Sequence, residues 1–406
     1  MGRKVAYVYD ETFAYHHYGP GHPMKPARLM LAHNLVLTYG LHRKMDCFRP
    51  HRATAGEMMQ YHSPEYIDFI RRASPSTAKA LANEAQKFNM GEGTDCPIFN
   101  DMFDFCSLYS GGSLDGAVRL NHGLSDICIN WPGGLHHAKK TEGSGFCYVN
   151  DIVLAILEML KFHPRVLYID IDIHHGDGVE EAFYMTDRVM TCSFHKFGDF
   201  FPGTGELTDT GSGKGAGYCV NFPLKEGMTD QDFARVFKPI IRRIMEIYRP
   251  GAVVLQCGAD SLTGDRLGCF NLTVDGHAEC VRFVKSFGVP LLLVGGGGYT
   301  VNNVARCWAF ETAVAVGEDK DLSAEIPAHE FSGYFAPGHR IHLTPKASLQ
   351  NNNTKEYLEK YKNIILQNLQ DLQGAPSVAM QELPPEAFLE NPEAAGVVVK
   401  PSALLS

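Results

Sequence analysis

The 406-residue chain has no run of five basic residues, and its 37 Lys and Arg are outnumbered by 46 Asp and Glu, leaving a net charge of −9. Attachment to nucleic-acid phosphates needs clustered positive charge to displace counterions, so the balance argues against direct DNA or RNA binding. Nor is there an uninterrupted apolar stretch of about 18 residues, the length that spans a bilayer. The opening MGRKVAYVYD lacks the apolar run of a secretory signal, and an intracellular protein is expected. The 11 Cys are odd in number, contain no CxxC pair and sit singly in apolar or mixed segments, as at Cys128, Cys192, Cys219, Cys257 and Cys307, which reads as reduced, buried thiols. No internal repeat is visible. What is present is 45% hydrophobic and 20% charged residues, enough for a large globular core, and 18 His.

Short runs rich in Val, Ile, Leu and Tyr recur at Val5–Tyr9, Asp126–Asn130, Val166–Asp172, Val189–Ser193, Ala252–Cys257 and Pro290–Val294. They read as strands buried on both faces. Between them, helical periodicity marks Leu29–Tyr39, Gly112–Leu120, Asp151–Lys161, Asp230–Tyr248, His277–Phe287 and Asn303–Ala315. This alternation predicts an α/β protein with a parallel sheet between helical layers. The strands run out into loaded loops: Trp131–His137, His174–Gly178, Phe194–Gly205, Gly258–Asp265 and Gly295–Tyr299. Open α/β sheets bind ligands outside the carboxyl ends of their strands, so these loops predict one shared site. A single domain over residues 1–388 is therefore preferred to several. An amphipathic stretch at Thr354–Leu369 precedes Pro- and Glu-rich residues (Pro384, Pro385, Pro392), and residues 389–406 are expected to be a disordered tail.

The densest chemistry lies in Tyr168-Ile-Asp-Ile-Asp-Ile-His-His-Gly-Asp-Gly178. Alternation at a strand end puts Asp170, Asp172 and His174 on one side and Ile169, Ile171 and Ile173 on the other. Such acidic and imidazole groups, if buried, need a cation to neutralise them; the bland alternative is a solvated turn. An Asp/His set without Cys suits catalytic zinc, with manganese or iron(II) as rivals. A third ligand is offered by Asp260, after the strand Val253-Val-Leu-Gln-Cys-Gly-Ala, although alone it would equally serve as a helix N-cap. His136 and His137 follow a Gly-Gly turn, and Asp170 and Asp177 are available to fix their tautomers. The four glycines before Tyr299 lack both GxGxxG context and a following Lys-Ser/Thr, so they read as a flexible or closely packed loop presenting a phenol donor rather than as a phosphate cradle. Phe146 and Phe201 stand beside glycines at the same edge, where apolar rings would line an entrance, though Phe is more often core.

Taken together, the blocks Gly21-His-Pro-Met-Lys-Pro, Gly133-Gly-Leu-His-His-Ala-Lys-Lys, Ser144-Gly-Phe-Cys-Tyr-Val-Asn-Asp, Asp170-Ile-Asp-Ile-His-His-Gly-Asp-Gly, Phe201-Pro-Gly-Thr-Gly, Gln256-Cys-Gly-Ala-Asp-Ser-Leu and Gly295-Gly-Gly-Gly-Tyr make the chain resemble a class I zinc-dependent histone deacetylase from Val5 to about Pro385. The resemblance implies an arginase–deacetylase fold with a largely parallel eight-stranded sheet. It implies zinc on Asp172, His174 and Asp260, His136 paired with Asp170, His137 with Asp177, and Tyr299 polarising the scissile carbonyl. Gly145, Phe146, Phe201 and Leu267 would form the acyl-lysine tunnel and its mouth, and Asp95 would hold the substrate backbone at the rim. Family potassium sites map onto Asp170, Asp172, His174, Ser193 and Phe194, and onto Phe183, Thr186, Val189 and Tyr218. The family's inositol-phosphate pocket maps onto His17, Gly21, Lys25 and Arg266.

Two departures stand out. Gly91-Glu-Gly-Thr before Asp95 is longer than the usual family loop, and Asn302 occupies a position where members using inositol phosphate place an arginine. The resemblance implies hydrolysis of N-ε-acetyl-lysine in histone tails, with other proteins open as substrates, and transcriptional repression, corepressor partners and nuclear residence follow from the histone substrate; the cytoplasm is also open, since no localisation cluster is visible. Rival readings are an acetylpolyamine amidohydrolase, an arginase-like ureohydrolase or a non-catalytic corepressor scaffold.

Overall fold

A computed structural model describes residues 2–372. The sheet has eight strands: β1 Val5–Val8, β2 Asp46–Phe48, β3 Ile127–Asn130, β4 Val166–Asp170, β5 Val189–Lys196, β6 Cys219–Leu224, β7 Ala252–Gln256 and β8 Leu291–Val294. Their order is β2-β1-β3-β8-β7-β4-β5-β6, and every pairing is parallel. Apart from β2, the strands are almost wholly buried, as expected of a parallel sheet covered by helices on both faces.

Side-chain alternation divides the core. Leu167, Ile169, Val253, Leu255, Leu291 and Leu293 join the larger apolar cluster, whereas Val166, Tyr168, Val254, Leu292 and Val294 join a second cluster on the opposite face. Register places Asn130, Val294, Gln256, Asp170, Ser193 and Asn221 in one line across adjacent strands at their carboxyl ends. That line is the floor on which the site is built.

The six expected strands are present, each with one end as expected and the other displaced. β4 stops at Asp170 rather than Asp172, because the Asp172 N–H turns back to donate to Asp170 Oδ1 at 3.0 Å. β2 and β6 are additional: β2 has only three residues, and β6 carries Pro223, tolerated because this strand is the sheet edge. Helix Asp230–Tyr248 has the expected bounds, while Gly112–Leu120 is the second half of a helix over Met102–Asn121. That helix contains Gly111, Gly112 and Gly116 because backbone and side chains approach it closely; a Cβ at Gly111 would lie 1.8 Å from the carbonyl oxygen of His51. The tail boundary at residues 388–389 lies outside the described residues. All 11 Cys are free thiols, nine of them buried. Among the described residues no helix is long and apolar enough to cross a membrane.

Candidate active site

Asp170 closes β4 and anchors the turn beyond it. Its Oδ2 accepts from the Tyr168 hydroxyl at 2.6 Å and lies 2.7 Å from His136 Nδ1. Past Asp170, Ile171 and Ile173 turn into the core while Asp172 and His174 face Asp260, so the alternation anticipated for a strand persists through an irregular turn. His174 Nδ1 lies 3.1 Å from both Asp172 Oδ1 and Asp260 Oδ2. One donor atom from each residue falls within 4.8 Å of the others, and both carboxylates are fully buried.

The backbone holds these carboxylates at their second oxygens. Asp172 Oδ2 accepts from Gly297 N at 2.8 Å and Gln256 Nε2 at 2.9 Å, and Asp260 Oδ1 accepts from Ile173 N at 3.0 Å. Burial and the neighbouring Asp172 charge push the Asp260 carboxyl up to about 7. Two carboxylates this close and this dry cannot both stay ionised without a cation, and an O, N, O donor set with open positions is what catalytic zinc takes. The residues therefore fit zinc. Among the described residues a second buried group, His277, Cys307 and Glu311, has ligand chemistry, but both His277 nitrogens are committed: Nδ1 lies 2.6 Å from Glu311 Oε1 and Nε2 2.9 Å from the Gly258 carbonyl. Burial also raises the Cys307 thiol well above its ordinary pKa, disfavouring the thiolate a metal would need.

His136 and His137 are adjacent in sequence yet reach different carboxylates. His137 Nδ1 lies 2.7 Å from Asp177 Oδ1, while Asp177 Oδ2 accepts from Lys139 Nζ at 2.6 Å. Burial opposes protonation of His136, but the charges of Asp170 and Asp172 outweigh it and lift the ring to about 9. Burial and the charge on His136 push His137 down to about 3. Burial likewise opposes ionisation of Asp177, which hydrogen bonds and charges from His137 and Lys139 nevertheless hold well below the usual carboxylate range. The surroundings thus favour the charged form of His136 and the neutral form of His137, whose ring centroids lie 3.9 Å apart.

Tyr299 is buried, and desolvation followed by the charges of Asp260 and Asp172 raises its phenol far above the ordinary value. It therefore keeps its proton as a donor. The edge of its ring meets Phe146 at 5.7 Å, and His137 meets Phe201 at 5.0 Å. Gly145, at φ +52, separates the two walls, since a Cβ there would lie 2.4 Å from the His137 ring and 3.0 Å from Phe201. Phe201 and Leu267 are exposed on the outer side.

The longer loop before Asp95 closes on itself, with Gly91 N donating to Cys96 O and Thr94 Oγ1 to Gly91 O, both at 2.9 Å. Asp95 Oδ2 still accepts from Gly145 N at 2.8 Å, which ties this loop to the segment that carries Phe146.

His17, Gly21 and Arg266 are exposed and Lys25 is half-buried, while Asn302 donates its amide to the Tyr334 carbonyl at 3.1 Å. Ser193 pairs with Asp170 across β5 and β4, its hydroxyl 2.8 Å from His195 Nδ1. Phe183 and Thr186 share a turn, Val189 opens β5 and Tyr218 precedes β6.

Several supporting residues of the site were not singled out from the sequence. Gln256 braces Asp172, Asp265 accepts from the Tyr299 and Leu267 amides, and the buried Arg28 donates to the Gly296 and Gly298 carbonyls, both at 2.7 Å. Gln256 and Asp265 flank Asp260, and Arg28 follows the Gly21–Pro26 block by two residues at the start of helix Ala27–Thr38, so all three lay within reach of motif reading.

Sheet and cluster together define a class: a parallel α/β enzyme with a candidate catalytic cation site at the carboxyl edge of its strands. A family model described as "Histone deacetylase domain" matches residues 22–315. The chain is 58% identical over 386 residues to "Histone deacetylase 1" of Homo sapiens, covering 95% of this chain and 79% of that protein. It is 56% identical to "Type-1 histone deacetylase 1" of Dictyostelium discoideum (95% and 77% covered) and 57% identical to "Histone deacetylase HDAC1" of Drosophila melanogaster (95% and 73%). The chain belongs to the histone deacetylase family.

Proposed function

We propose that this protein hydrolyses the N-ε-acetyl amide of lysine in histone tails, releasing acetate and free lysine, and so acts in chromatin regulation and transcriptional repression in the nucleus. The observation that carries the reading is the fully buried Asp172–His174–Asp260 donor set beside two imidazoles, each backed by its own carboxylate, in a member of this family.

Asp172, His174 and Asp260 would hold zinc, which when bound supplies Lewis acidity toward the amide carbonyl and lowers the pKa of water toward about 7. His137 is the general base. Asp177 accepts from its Nδ1–H, which leaves Nε2 with the lone pair that removes a proton from the attacking water and later returns it to the departing amine. His136, whose Nδ1 lies 2.7 Å from Asp170, mainly shapes the electrostatics: the positive charge that Asp170 favours on its ring would stabilise negative charge developing nearby. The Tyr299 hydroxyl donates to the carbonyl oxygen as negative charge develops there. Phe146 and Phe201 admit a neutral acetamide on an alkyl stem more readily than an ammonium, whose desolvation they cannot repay. Asp95, with one oxygen held by Gly145, offers the other to substrate backbone N–H groups.

Potassium on Asp170, Asp172, His174, Ser193 and Phe194, and on Phe183, Thr186, Val189 and Tyr218, belongs to the same proposal, supported by the adjacency of Asp170 to Ser193 and of Phe183 to Thr186. An inositol phosphate held at His17, Gly21, Lys25 and Arg266 has weaker support, because Asn302 supplies no cation at the head of helix Val301–Val316. Corepressor proteins are the expected partners.

The test is turnover of acetylated histone peptides by the isolated chain, with and without chelator. Activity that disappears with chelator and returns with zinc is expected. A zinc-loaded chain that ignores the peptide while cleaving an acetylpolyamine would sink the assignment.

A further inference from the structure

The His136–His137 segment bears both imidazoles, yet neither belongs to a helix or strand. Something must hold five consecutive loop residues still. The amides of this segment point to Asp151: Gly134 N donates to its Oδ2 and Leu135 N to its Oδ1, each at 2.9 Å. The carbonyls point to Asn150, whose Nδ2 donates to Ala138 O at 3.0 Å and reaches His136 O at 3.4 Å. Residues 150 and 151 are neighbours at the start of helix Asp151–Met159, so one helix end takes both polarities of the loop backbone.

The cost of this arrangement shows that it is more than a cap. Asp151 is fully buried, and among the described residues no cationic side chain pairs with it. Burial pushes its carboxyl up, against the pull of the hydrogen bonds it accepts. Capping would need only Asn150, whose Oδ1 already accepts from Val153 N at 3.1 Å. Asp151 is instead surrounded by donors that belong to the loop or support it. Ser113 Oγ donates at 2.6 Å, and Ser113 is in turn held by Asn130 Nδ2 at 2.8 Å. Glycines make room: a Cβ at Gly133 would lie 2.3 Å from Asp151 Oδ2, and one at Gly178 would lie 2.5 Å from His136 O.

We propose that Asn150 and Asp151 are positioning residues for the deacetylation reaction, gripping residues 134–138 through opposite backbone groups and thereby fixing His136 and His137 against their carboxylate partners. The inference rests on the function proposed above. The side chains of Asn150 and Asp151 bond to the loop backbone, their own helix and Ser113 rather than to Asp172, His174 or Asp260, so they act through the loop. Misplacement of a reacting group by about 1 Å can cost on the order of 100-fold in rate without altering substrate affinity.

Asn150→Ser keeps a good N-cap but lacks the amide that grips the carbonyls, and Asp151→Asn replaces one acceptor oxygen by a donor. Gly133→Ala crowds Asp151 without changing it, and serves if Asp151→Asn does not fold. Each variant is assayed on acetylated histone peptide beside wild type, with zinc content, thermal melting and the ring signals of 13C-labelled histidine recorded. The expected result for Asn150→Ser is a melting temperature and zinc content near wild type, KM within about twofold, kcat lower by about 10- to 100-fold, and ring signals of His136 and His137 displaced. Wild-type kcat in both Asn150→Ser and the Asp151 probe, or activity lost only in proportion to zinc, overturns the proposal. If wild type itself is inactive, the functional reading fails, and the histidine signals alone decide the clamp: unmoved signals in every variant overturn it.

Discussion

In the proposed reaction the working atom of Tyr299 is a proton that burial and two nearby carboxylates prevent from leaving. Tyr299→Phe removes that donor and no metal ligand. It should retain zinc while losing on the order of 100-fold or more in kcat, and a variant with wild-type turnover would remove Tyr299 from the mechanism. Single residues were legible in the sequence where local spacing placed them together. Asp172 and His174 fall side by side because one intervening isoleucine points the other way. Asp260 was ambiguous alone, and only its approach to His174 distinguishes a ligand from a cap. Gln256 and Arg28 lie in or beside the motif blocks, but what each braces could not be read locally, because their partners lie 84 and about 270 residues off in the chain.

The glycine run before Tyr299 reads from sequence as either flexible or closely packed; it is closely packed. A Cβ at Gly297 would lie 1.9 Å from Asp260 Oδ2, and one at Gly296 would lie 2.0 Å from Gln256 Nε2. Gly297→Ala should therefore displace Asp260 and lower zinc content by metal analysis; full zinc occupancy at wild-type affinity would contradict this packing. Another element makes the fold acid-sensitive. His62, just before helix Pro64–Arg72, accepts from Asn150 N through Nε2 and lies 3.3 Å from the Lys140 carbonyl through Nδ1. Burial lowers its pKa to about 4. The unfolded ring, near 6.5, takes up a proton that the folded ring refuses, so stability is intact above about pH 6.5 and is lost as pH falls from there toward 4. By pH 5 the loss is about 2 kcal/mol. Replacing His62 by Gln, which can still accept from Asn150 N, should narrow the gap between melting temperatures at pH 7 and pH 5. An unchanged gap would show that other groups set it. The helix with strongly separated apolar and polar faces, Asp230–Tyr248, was legible to its ends, whereas β2 was not, being three residues with no apolar run.

For the molecule as a whole, two fully buried carboxylates at the meeting point of the strand-end loops of β4, β7 and β8 link metal to stability. Removing zinc leaves their repulsion uncompensated, so chelation should lower the melting temperature and added zinc should restore it. Identical melting curves with and without chelator would mean the cluster is satisfied by protons alone. The sequence by itself determined the parallel α/β class, the strand-end loops that carry the chemistry, and most candidate ligands, because period-two alternation and loop composition are local properties. Tertiary structure decided which of those loops converge. It brought Asp260 to His174, gave His136 and His137 different carboxylates, closed the longer Asp95 loop onto Gly145, and laid the Asn150–Asp151 helix end against the histidine loop. The reason is physical: hydrogen bonds and charge pairs act across a few ångströms of space, and only the strand order β3-β8-β7-β4 makes those distances short between residues far apart in the chain.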